Sequence, residues 1–372
     1  MLKRFEVENF KGFSKKLVFD LSSREYSFNE ELINQHIVNK AIIYGKNGIG
    51  KSSLGIALFD IVRHLTDKRK MDERYLNNYL NLENNNVQNA YFKYIFQFGS
   101  DELIYEYTKK DPDNLLTEKL TINEKVVIDF DYFKLEKRFI DDSLTGSELN
   151  VDLISNRLSV LKYIYHNRPD NPNTPFSKMM NFVNNMLWYR CLLGGSDFCG
   201  FANGGSFLVD ELYQSGKVKK FEKFLKENDL DYKLKFKDNN GKIELMAEFG
   251  EDGNTREAPF LKLISTGTNA LFLFYVWSFS FNKISFLFID EFDAFLHYEA
   301  AENIVKLLNN CTNFQSILTT HNTYLMNNKL TRPDCCFLMT KNGIKNLYDS
   351  TNKEIREAHN LEKMYINGAF NE

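Results

Sequence analysis

The sequence has no excess of charge of one sign. Its 372 residues include 47 lysines and arginines against 50 aspartates and glutamates, which gives a formal net charge of −3. Nothing in it resembles the basic tail with which many proteins bind nucleic-acid phosphates. A local basic groove is still compatible with this balance. The charge pattern therefore leaves DNA binding open but gives it no support.

Cysteine is scarce as well. The five cysteines are an odd number, and their spacing fits neither a zinc site nor a disulfide framework; they are Cys191, Cys199, Cys311, Cys335 and Cys336. We predict reduced core thiols in a reducing cytoplasm. The first ten residues alternate like a strand and lack the apolar core of a signal peptide. Both observations favour a cytoplasmic protein.

The sequence also lacks an uninterrupted apolar run that could cross a membrane. Its most apolar segment, 270–289, is interrupted by Asn282, Lys283 and Ser285. We predict a buried helix followed by a buried strand there. Sustained heptads are missing too, which argues against a long coiled coil. Hydrophobic residues make up 43% of the chain and charged residues 26%, as is typical of a globular protein.

What the sequence does contain is a complete phosphate-binding motif. After the apolar strand 41–44, residues 45–52 read GKNGIGKS and match G-x-x-x-x-G-K-[ST] at every fixed position. Apolar residues then recur at helical spacing: Leu54, Ala57, Leu58, Ile61 and Leu65. The motif thus joins a strand to a helix, where backbone N–H groups and the helix dipole favour phosphate. A glycine-rich turn with only a structural role is the alternative.

This motif supplies most of the predicted nucleotide-binding residues, which are Gly45, Asn47, Gly48, Gly50, Lys51, Ser52 and Ser53. Lys51 is expected to reach the β- and γ-phosphates of ATP. The Ser52 hydroxyl is expected to bind Mg²⁺. ATP and Mg²⁺ are therefore the predicted cofactors.

Two later strands end in residues that suit phosphate hydrolysis. The apolar strand 284–289 ends in Asp290 and Glu291, the first placed to hold Mg²⁺ and the second to polarise an attacking water. The strand 315–319 ends near His321, which is expected to contact the γ-phosphate. We predict Glu291 and His321 as catalytic residues and Asp290, with Ser52, as a metal ligand. Taken alone, a histidine at a strand end is more often structural.

In this order the features resemble an ABC-type ATPase of the SMC/RecF/OLD group. The opening residues FEVENFKGF are similar to that group's first strand, and Lys11 matches the basic position of the loop that approaches the nucleotide. The segments RPDCCF and REAHNLEKMYINGAF resemble a narrower set, bacterial AAA-type ATPases associated with abortive infection and phage defence. The resemblance implies an α/β fold: a P-loop ABC-type nucleotide-binding domain with an antiparallel β subdomain and a short helical lobe.

The same resemblance gives a role to residues 264–268, ISTGT. They match the signature L-S-x-G-Q at Ser265 and Gly267, while Thr268 replaces the glutamine. The resemblance implies that Ser265 and Gly267 cap a helix and meet the γ-phosphate of ATP held by a second subunit. It therefore predicts a homodimer through an ATP sandwich, with higher oligomers open.

The organisation follows from these motifs. We predict an N-terminal half of the ATPase domain over 1–147, a helical lobe over 148–235 and a C-terminal half over 236–372. Alternating residues around 90–130 predict antiparallel hairpins. The glutamine-bearing loop of ABC ATPases has no clear counterpart; Gln97 sits within an alternating strand and favours a structural reading. Asp293 and His297 fit an interface role and a solvated helix start equally well.

These predictions lead to two candidate functions. The first is a nucleotide-switched sensor and scaffold in anti-phage defence that controls a separately encoded effector, for which a nuclease is the expected kind. It follows from the resemblance and from the sequence's showing no second catalytic centre. The alternative is a RecF-like DNA-repair ATPase that clamps DNA. The trigger, the effector and the rate of ATP turnover are not determined by the sequence.

Overall fold

The computed structural model describes residues 1–68, 73–83, 86–145, 154–168, 171–190, 198–200, 208–250 and 255–370. Of the glycine-rich segment 192–205, within the predicted helical lobe, only residues 198–200 are described, and Cys191 lies outside the described residues. Cys335 and Cys336 are buried free thiols and Cys311 is half-buried. The predicted thiol state therefore agrees with the structure at these three positions.

The strands of the described residues are β1 (Leu2–Glu8), β2 (Leu17–Asp20), β3 (Ile33–Asn34), β4 (Ile37–Val38), β5 (Lys40–Tyr44), β6 (Ala90–Phe98), β7 (Asp101–Lys109), β8 (Leu115–Ile122), β9 (Lys125–Asp131), β10 (Arg138–Ile140), β11 (Met186–Arg190), β12 (Phe198–Gly200), β13 (Lys233–Asn239), β14 (Lys242–Phe249), β15 (Arg256–Pro259), β16 (Phe286–Asp290), β17 (Gln315–Thr320), β18 (Cys336–Thr340) and β19 (Gly343–Asn346). The α-helices are α1 (Lys51–Leu58), α2 (Asp60–Leu65), α3 (Glu73–Leu76), α4 (Asp142–Thr145), α5 (Val160–Asn167), α6 (Pro175–Asn184), α7 (Leu208–Ser215), α8 (Val218–Lys226), α9 (Phe260–Leu263), α10 (Thr266–Trp277), α11 (Tyr298–Asn309) and α12 (Leu361–Ile366).

One sheet is entirely antiparallel, in the order β10-β9-β8-β7-β6-β1-β2. Buried and half-buried residues alternate along β6 and β7, as expected for a sheet with one face on the core. The hairpin turn between β8 and β9 uses Asn123 and Glu124, both with positive φ. The hairpins predicted for 90–130 are therefore confirmed.

The second large sheet has the order β12-β11-β16-β17-β5-β18-β19. Its five inner strands run parallel, and the two edge strands are antiparallel. β5, β16 and β17 are buried at every position, because both faces of this sheet are covered. The carboxyl ends of these three strands share one edge, which is where ligands bind in such sheets. The predicted α/β class with an antiparallel β subdomain is confirmed.

Segment 148–235 is not helical throughout. Besides α5 to α8 it contains β11, which pairs in parallel with β16 as a strand of the second sheet. The helical prediction missed this strand because its place in the sheet depends on a partner strand one hundred residues away. The division of the chain into the three predicted units remains a prediction.

The helix after the phosphate loop is also interrupted. The predicted continuous helix is divided at Phe59 into α1 and α2. α1 packs closely on β16 at Gly55, where an added Cβ would lie 2.6 Å from the Phe288 ring. Only a glycine allows this distance, which sets α1 directly against the strand that carries Asp290.

The longest helices in the described part of the chain, α10 and α11, have 12 residues each. This agrees with the predicted lack of a long coiled coil. None of the described helices has both the length and the apolar content needed to span a bilayer. The apolar run 270–289 instead forms the end of α10 and most of β16, both packed in the core.

Candidate nucleotide-binding site

The phosphate loop connects β5 to α1 at the carboxyl edge of the parallel sheet. Gly48 and Gly50 have φ values of 74° and 111°, a conformation that side chains disfavour. Gly50 is the N-cap of α1 and offers no side chain to the N–H groups of the first turn. Those N–H groups and the helix dipole form a site that favours an anion. Gly45 is needed for packing, because a Cβ there would lie 2.9 Å from the Met339 carbonyl oxygen.

Lys51 is held at the centre of this loop. Its Nζ donates to the carbonyl oxygens of Gly45 at 2.8 Å and Lys46 at 3.3 Å. It also lies 2.8 Å from His321 Nε2. Burial lowers the pKa of Lys51, although the nearby carboxylates of Glu291, Asp290 and Asp293 oppose that effect. Burial and the neighbouring ammonium lower the pKa of His321, so its imidazole is neutral at pH 7.

Asp290 ends β16 and Glu291 follows it, and Thr319 on the neighbouring β17 orients both. The Thr319 hydroxyl donates to Asp290 Oδ1 at 2.8 Å and accepts from the Glu291 backbone N–H at 2.8 Å. The two strands are adjacent and parallel, which brings residues 28 and 29 positions apart into contact. Sequence reasoning did not single out Thr319, since a threonine inside an apolar strand carries no signal of its own.

Glu291 has the properties of a general base. Its φ of 50° is the left-handed conformation, which a glutamate adopts only when its surroundings hold it. Burial, followed by the Asp290 charge, raises its pKa. Its Oε1 lies 3.9 Å from His321 Nε2. A glutamate with a raised pKa binds a proton more strongly, which suits it to accept one from water.

A cavity of about 490 Å³ opens beside these groups. It is lined by Asn47, Glu291, Asp293, Ala294, His321 and Asn322. Asp293 accepts a hydrogen bond from the Thr320 hydroxyl at 2.7 Å, and burial raises its pKa. Asp293 therefore belongs to the site wall. His297, at the N-cap of α11, has a side chain 72% exposed, as a solvated helix start would.

The side chains fit Mg²⁺ in the company of phosphate. Asp290 offers a carboxylate and Ser52 a hydroxyl, both hard oxygen ligands of the kind that Mg²⁺ prefers. Among the described residues no group of three or more His, Cys, Asp or Glu side chains could hold a metal ion by itself. Asp290 and Ser52 therefore fit a Mg²⁺ ion that also keeps waters and nucleotide oxygens as ligands.

Lys11 lies in the loop after β1, and that loop approaches the phosphate loop. Its ammonium donates to the carbonyl oxygen of Asn77 at 2.9 Å and to that of Tyr75 at 3.4 Å. Contact with the phosphate loop is made by Phe13, whose ring would lie 3.3 Å from a Cβ at Gly50. The Lys11 loop thus contacts the phosphate loop through Phe13, while the lysine itself is bonded to residues 75–77. The contact of Lys11 with the nucleotide remains a prediction.

The signature residues begin α10. Ser265 is its N-cap, and the Ser265 hydroxyl accepts from the Thr268 N–H at 3.2 Å. Gly267 lies against the loop that follows Glu291: a Cβ there would be 2.5 Å from the Phe295 carbonyl oxygen. Large apolar side chains close in sequence to the signature residues and in or next to the loop that follows Glu291 are exposed: Leu261, Leu263, Phe295 and Tyr298.

Gln97 is not part of this site. It lies at the end of β6, where its backbone N–H donates to Met1 and its side chain to Gly99. These are contacts of the antiparallel sheet and its hairpin turn. The structural reading of Gln97 therefore agrees with its position.

Several solved structures are similar to this chain at low sequence identity. "SMC head domain from Thermotoga maritima" is 18% identical, with a TM-score of 0.42, and the match covers 93% of this chain and 98% of that one. The Smc head domain of Pyrococcus furiosus with an extended coiled coil, bound to the C-terminal domain of ScpA, is 14% identical with a TM-score of 0.45, covering 94% and 97%. An SmcHead bound to the C-winged helix domain of ScpA is 15% identical with a TM-score of 0.46, covering 92% and 96%.

Sequence comparison gives a more direct assignment. None of the curated proteins compared with the chain matches it. A protein-family model does match, over residues 40–327, a span that includes the phosphate loop, the signature, Asp290, Glu291 and His321. The predicted resemblance to abortive-infection AAA-type ATPases is confirmed by this match. The chain belongs to the family described as "AAA domain, putative AbiEii toxin, Type IV TA system".

Proposed function

We propose that this protein binds and hydrolyses ATP at the carboxyl edge of its parallel sheet. The observation that carries the proposal is the meeting of Lys51, Asp290, Glu291 and His321, which three different parallel strands bring to one phosphate-binding loop. Lys51 and the N–H groups of α1 bind the phosphates, and His321 faces the terminal one. Glu291 orients the attacking water and accepts its proton. Mg²⁺, held by Ser52 and Asp290, would neutralise charge on the phosphate oxygens.

The direct test is ATP binding and phosphate release by the purified protein with Mg²⁺. Lys51→Ala should lose both, whereas Lys46→Ala, at an exposed lysine of the same loop, should retain both. ATP binding that survives Lys51→Ala unchanged would rule out this site.

We further propose that ATP closes a homodimer in which Ser265 of one copy meets the γ-phosphate bound by the other. Support comes from the exposed N-cap of α10 and from the exposed apolar side chains beside it, a composition common at protein interfaces. Shifting an open–closed equilibrium from 1:99 to 99:1 takes about 5.5 kcal/mol of differential binding. Two triphosphates at a shared interface are a plausible source of that energy.

Light scattering tests this dimer. Glu291→Gln binds ATP without rapid turnover, so its molar mass should double with Mg-ATP. Adding Ser265→Arg should abolish the increase while ATP binding remains. A mass that ATP leaves unchanged in Glu291→Gln contradicts the switch.

We also propose that the switch operates in the cytoplasm in anti-phage defence, with an effector, a nuclease by expectation, encoded separately. Two facts support it: the family description names an AbiEii toxin of a Type IV toxin–antitoxin system, and the C-terminal segment resembles abortive-infection ATPases. Cells that carry the gene with its genomic neighbours should restrict phage, and Lys51→Ala should remove the restriction. If instead DNA stimulates ATP hydrolysis with a steep salt dependence, the DNA-clamp alternative is favoured.

A further inference from the structure

A buried carboxylate lies immediately beyond α1, away from the residues assigned to the site. Asp60 begins α2 and is fully buried. Its Oδ1 accepts from Lys109 Nζ at 2.7 Å and from the Tyr107 hydroxyl at 2.8 Å. Its Oδ2 accepts from the hydroxyls of Tyr75 and Tyr79. We call these five residues the Asp60 cluster.

A contribution to the free energy of unfolding does not by itself account for the Asp60 cluster. Lys109 is as fully buried as Asp60, and burial lowers its pKa while the Asp60 charge opposes that effect. Buried ion pairs often contribute no more stability than apolar side chains of the same volume, but they specify one arrangement of their surroundings. The arrangement specified here is that of segment 75–81, which carries two of the four hydrogen-bond donors.

Segment 75–81 holds the Lys11 loop through backbone and side-chain contacts. The Lys11 N–H donates to the Tyr79 carbonyl oxygen at 3.1 Å, and the Asn81 side chain donates to the Lys11 carbonyl oxygen. The Phe10 ring packs edge-on against Tyr79, with centroids 5.0 Å apart. Lys11 has a φ of 47°, a left-handed conformation that must be held by its neighbours.

The Lys11 loop then contacts the phosphate loop. Phe13 is 7% exposed, and its ring packs directly on Gly50, the residue before Lys51. A continuous set of contacts therefore runs from Asp60 through Tyr79 and the Lys11 loop to Gly50. It reaches the phosphate loop from the antiparallel sheet, on which Tyr107 and Lys109 lie.

We propose that the Asp60 cluster is a positioning site for the nucleotide. It fixes segment 75–81, and through it the Lys11 loop, against Gly50, so that the phosphate loop is ordered before ATP arrives. A loop ordered during folding does not have to be ordered on binding, which lowers the Kd. The inference rests on the proposed ATP binding, and it assigns Asp60, Tyr75 and Tyr79 no contact with reacting atoms.

The test compares two buried tyrosines that each donate to a buried carboxylate. Tyr79→Phe removes one hydroxyl from the Asp60 cluster. Tyr132→Phe is the matched control, because the Tyr132 hydroxyl donates to Glu118, whose other partners include Ser159 and the Val160 N–H at the start of α5. Tyr79→Phe loses a buried hydrogen bond worth about 1 kcal/mol. Tyr132→Phe also loses the bonds of its hydroxyl to the Leu158 carbonyl oxygen and the Val160 N–H, so its midpoint of thermal unfolding should fall by at least as many degrees as that of Tyr79→Phe.

Of the two tyrosine variants, only Tyr79→Phe should weaken ATP binding. We expect its Kd and KM for ATP to rise about five- to tenfold, with kcat at saturating ATP within about twofold of wild type, as expected when ground-state and transition-state binding weaken together. Tyr132→Phe should keep the wild-type Kd. Asn81→Ala, which removes a contact one step nearer the phosphate loop, should raise the Kd as Tyr79→Phe does.

Equal Kd values in Tyr79→Phe, Asn81→Ala and Tyr132→Phe, with Lys51-dependent ATP binding in the wild type, would overturn this inference and leave the proposed function standing. A wild-type protein that binds no ATP would overturn both.

Discussion

The two halves of the candidate ATP site are completed in different ways. In the phosphate-loop half (residues 45–52 with Asp290, Glu291 and His321), Lys51 is 4% exposed and its ammonium contacts two carbonyl oxygens and an imidazole. In the signature half (residues 264–268), Ser265 is exposed. In the phosphate-loop half, the side chains contact one another within a single chain. In the signature half, the polar N-terminus of α10 is exposed. This difference is expected if a single chain is sufficient to bind ATP and the bound ATP then promotes association of two copies.

Replacing Glu291, the proposed general base, should slow ATP hydrolysis without weakening ATP binding. Glu291→Gln is expected to lower kcat by about 10²- to 10⁴-fold, the usual contribution of a general base. The Kd for ATP should stay within about threefold, because the amide keeps the shape of the side chain. Single-turnover phosphate release and equilibrium ATP binding measure the two effects. A variant that still hydrolyses ATP at the wild-type rate would assign the base elsewhere.

Removing the lysine should disable the phosphate-loop half at the binding step. Lys51→Ala is expected to raise the Kd for ATP by roughly 10²- to 10³-fold, because truncating one member of a buried charge pair costs about 2–5 kcal/mol. Calorimetric titration with Mg-ATP measures it. Lys46→Ala is the control, and a comparable loss there would point to general damage to the loop.

A methyl group in the signature half should affect association alone. In Gly267→Ala the new Cβ would meet the Phe295 carbonyl oxygen at 2.5 Å, so the backbone must shift. Overpacking of this kind costs about 1–3 kcal/mol, and we expect ATP-dependent dimerisation in a Glu291→Gln background to weaken about tenfold. Binding of ATP to one chain should be unchanged. Thr266→Ala, at an exposed position of the same turn, is the control. Loss of ATP binding in Gly267→Ala would show that the halves are not independent.

Acid should affect the phosphate-loop half first, with a few-fold fall in the rate of ATP hydrolysis. Burial and Asp290 raise the pKa of Glu291, so its carboxylate form is lost on acidification at a higher pH than for an ordinary glutamate. The rate should fall as the pH drops through that raised pKa. The pKa of His321 is lowered, so its imidazole stays neutral to a lower pH than that of an ordinary histidine. In Glu291→Gln the residual rate of ATP hydrolysis should no longer fall on acidification in this way. A fall that persists in this variant would be due to the titration of another group.

The phosphate-loop half was largely predictable and the signature half only in part. Residues 45–52 form one continuous motif, so its loop, strand and helix could be placed from local pattern alone. The capping role of Ser265 was also predictable, since a helix cap is local. The packing of Gly267 on Phe295 was not, because nothing local relates a glycine to a carbonyl group twenty-eight residues later.

The same limit explains the elements that sequence reasoning missed. β11 was hidden within a helical segment because its place depends on pairing with β16. Thr319 became informative only when β17 was placed beside β16. The Asp60 cluster joins residues from α2, segment 75–81 and β7, and no sequence pattern pairs an aspartate with a lysine forty-nine positions away.

The sequence by itself determined the phosphate-loop motif, the α/β class and the hairpins, because motifs, buried strands and alternating strands are set by neighbouring residues. Only the tertiary structure decided which strands stand side by side, and therefore that Thr319 orients Asp290 and Glu291, that His321 faces Lys51, and that the Asp60 cluster connects to Gly50. Each of these contacts joins residues far apart in the chain, and distances of that kind are fixed by packing rather than by local conformational preference.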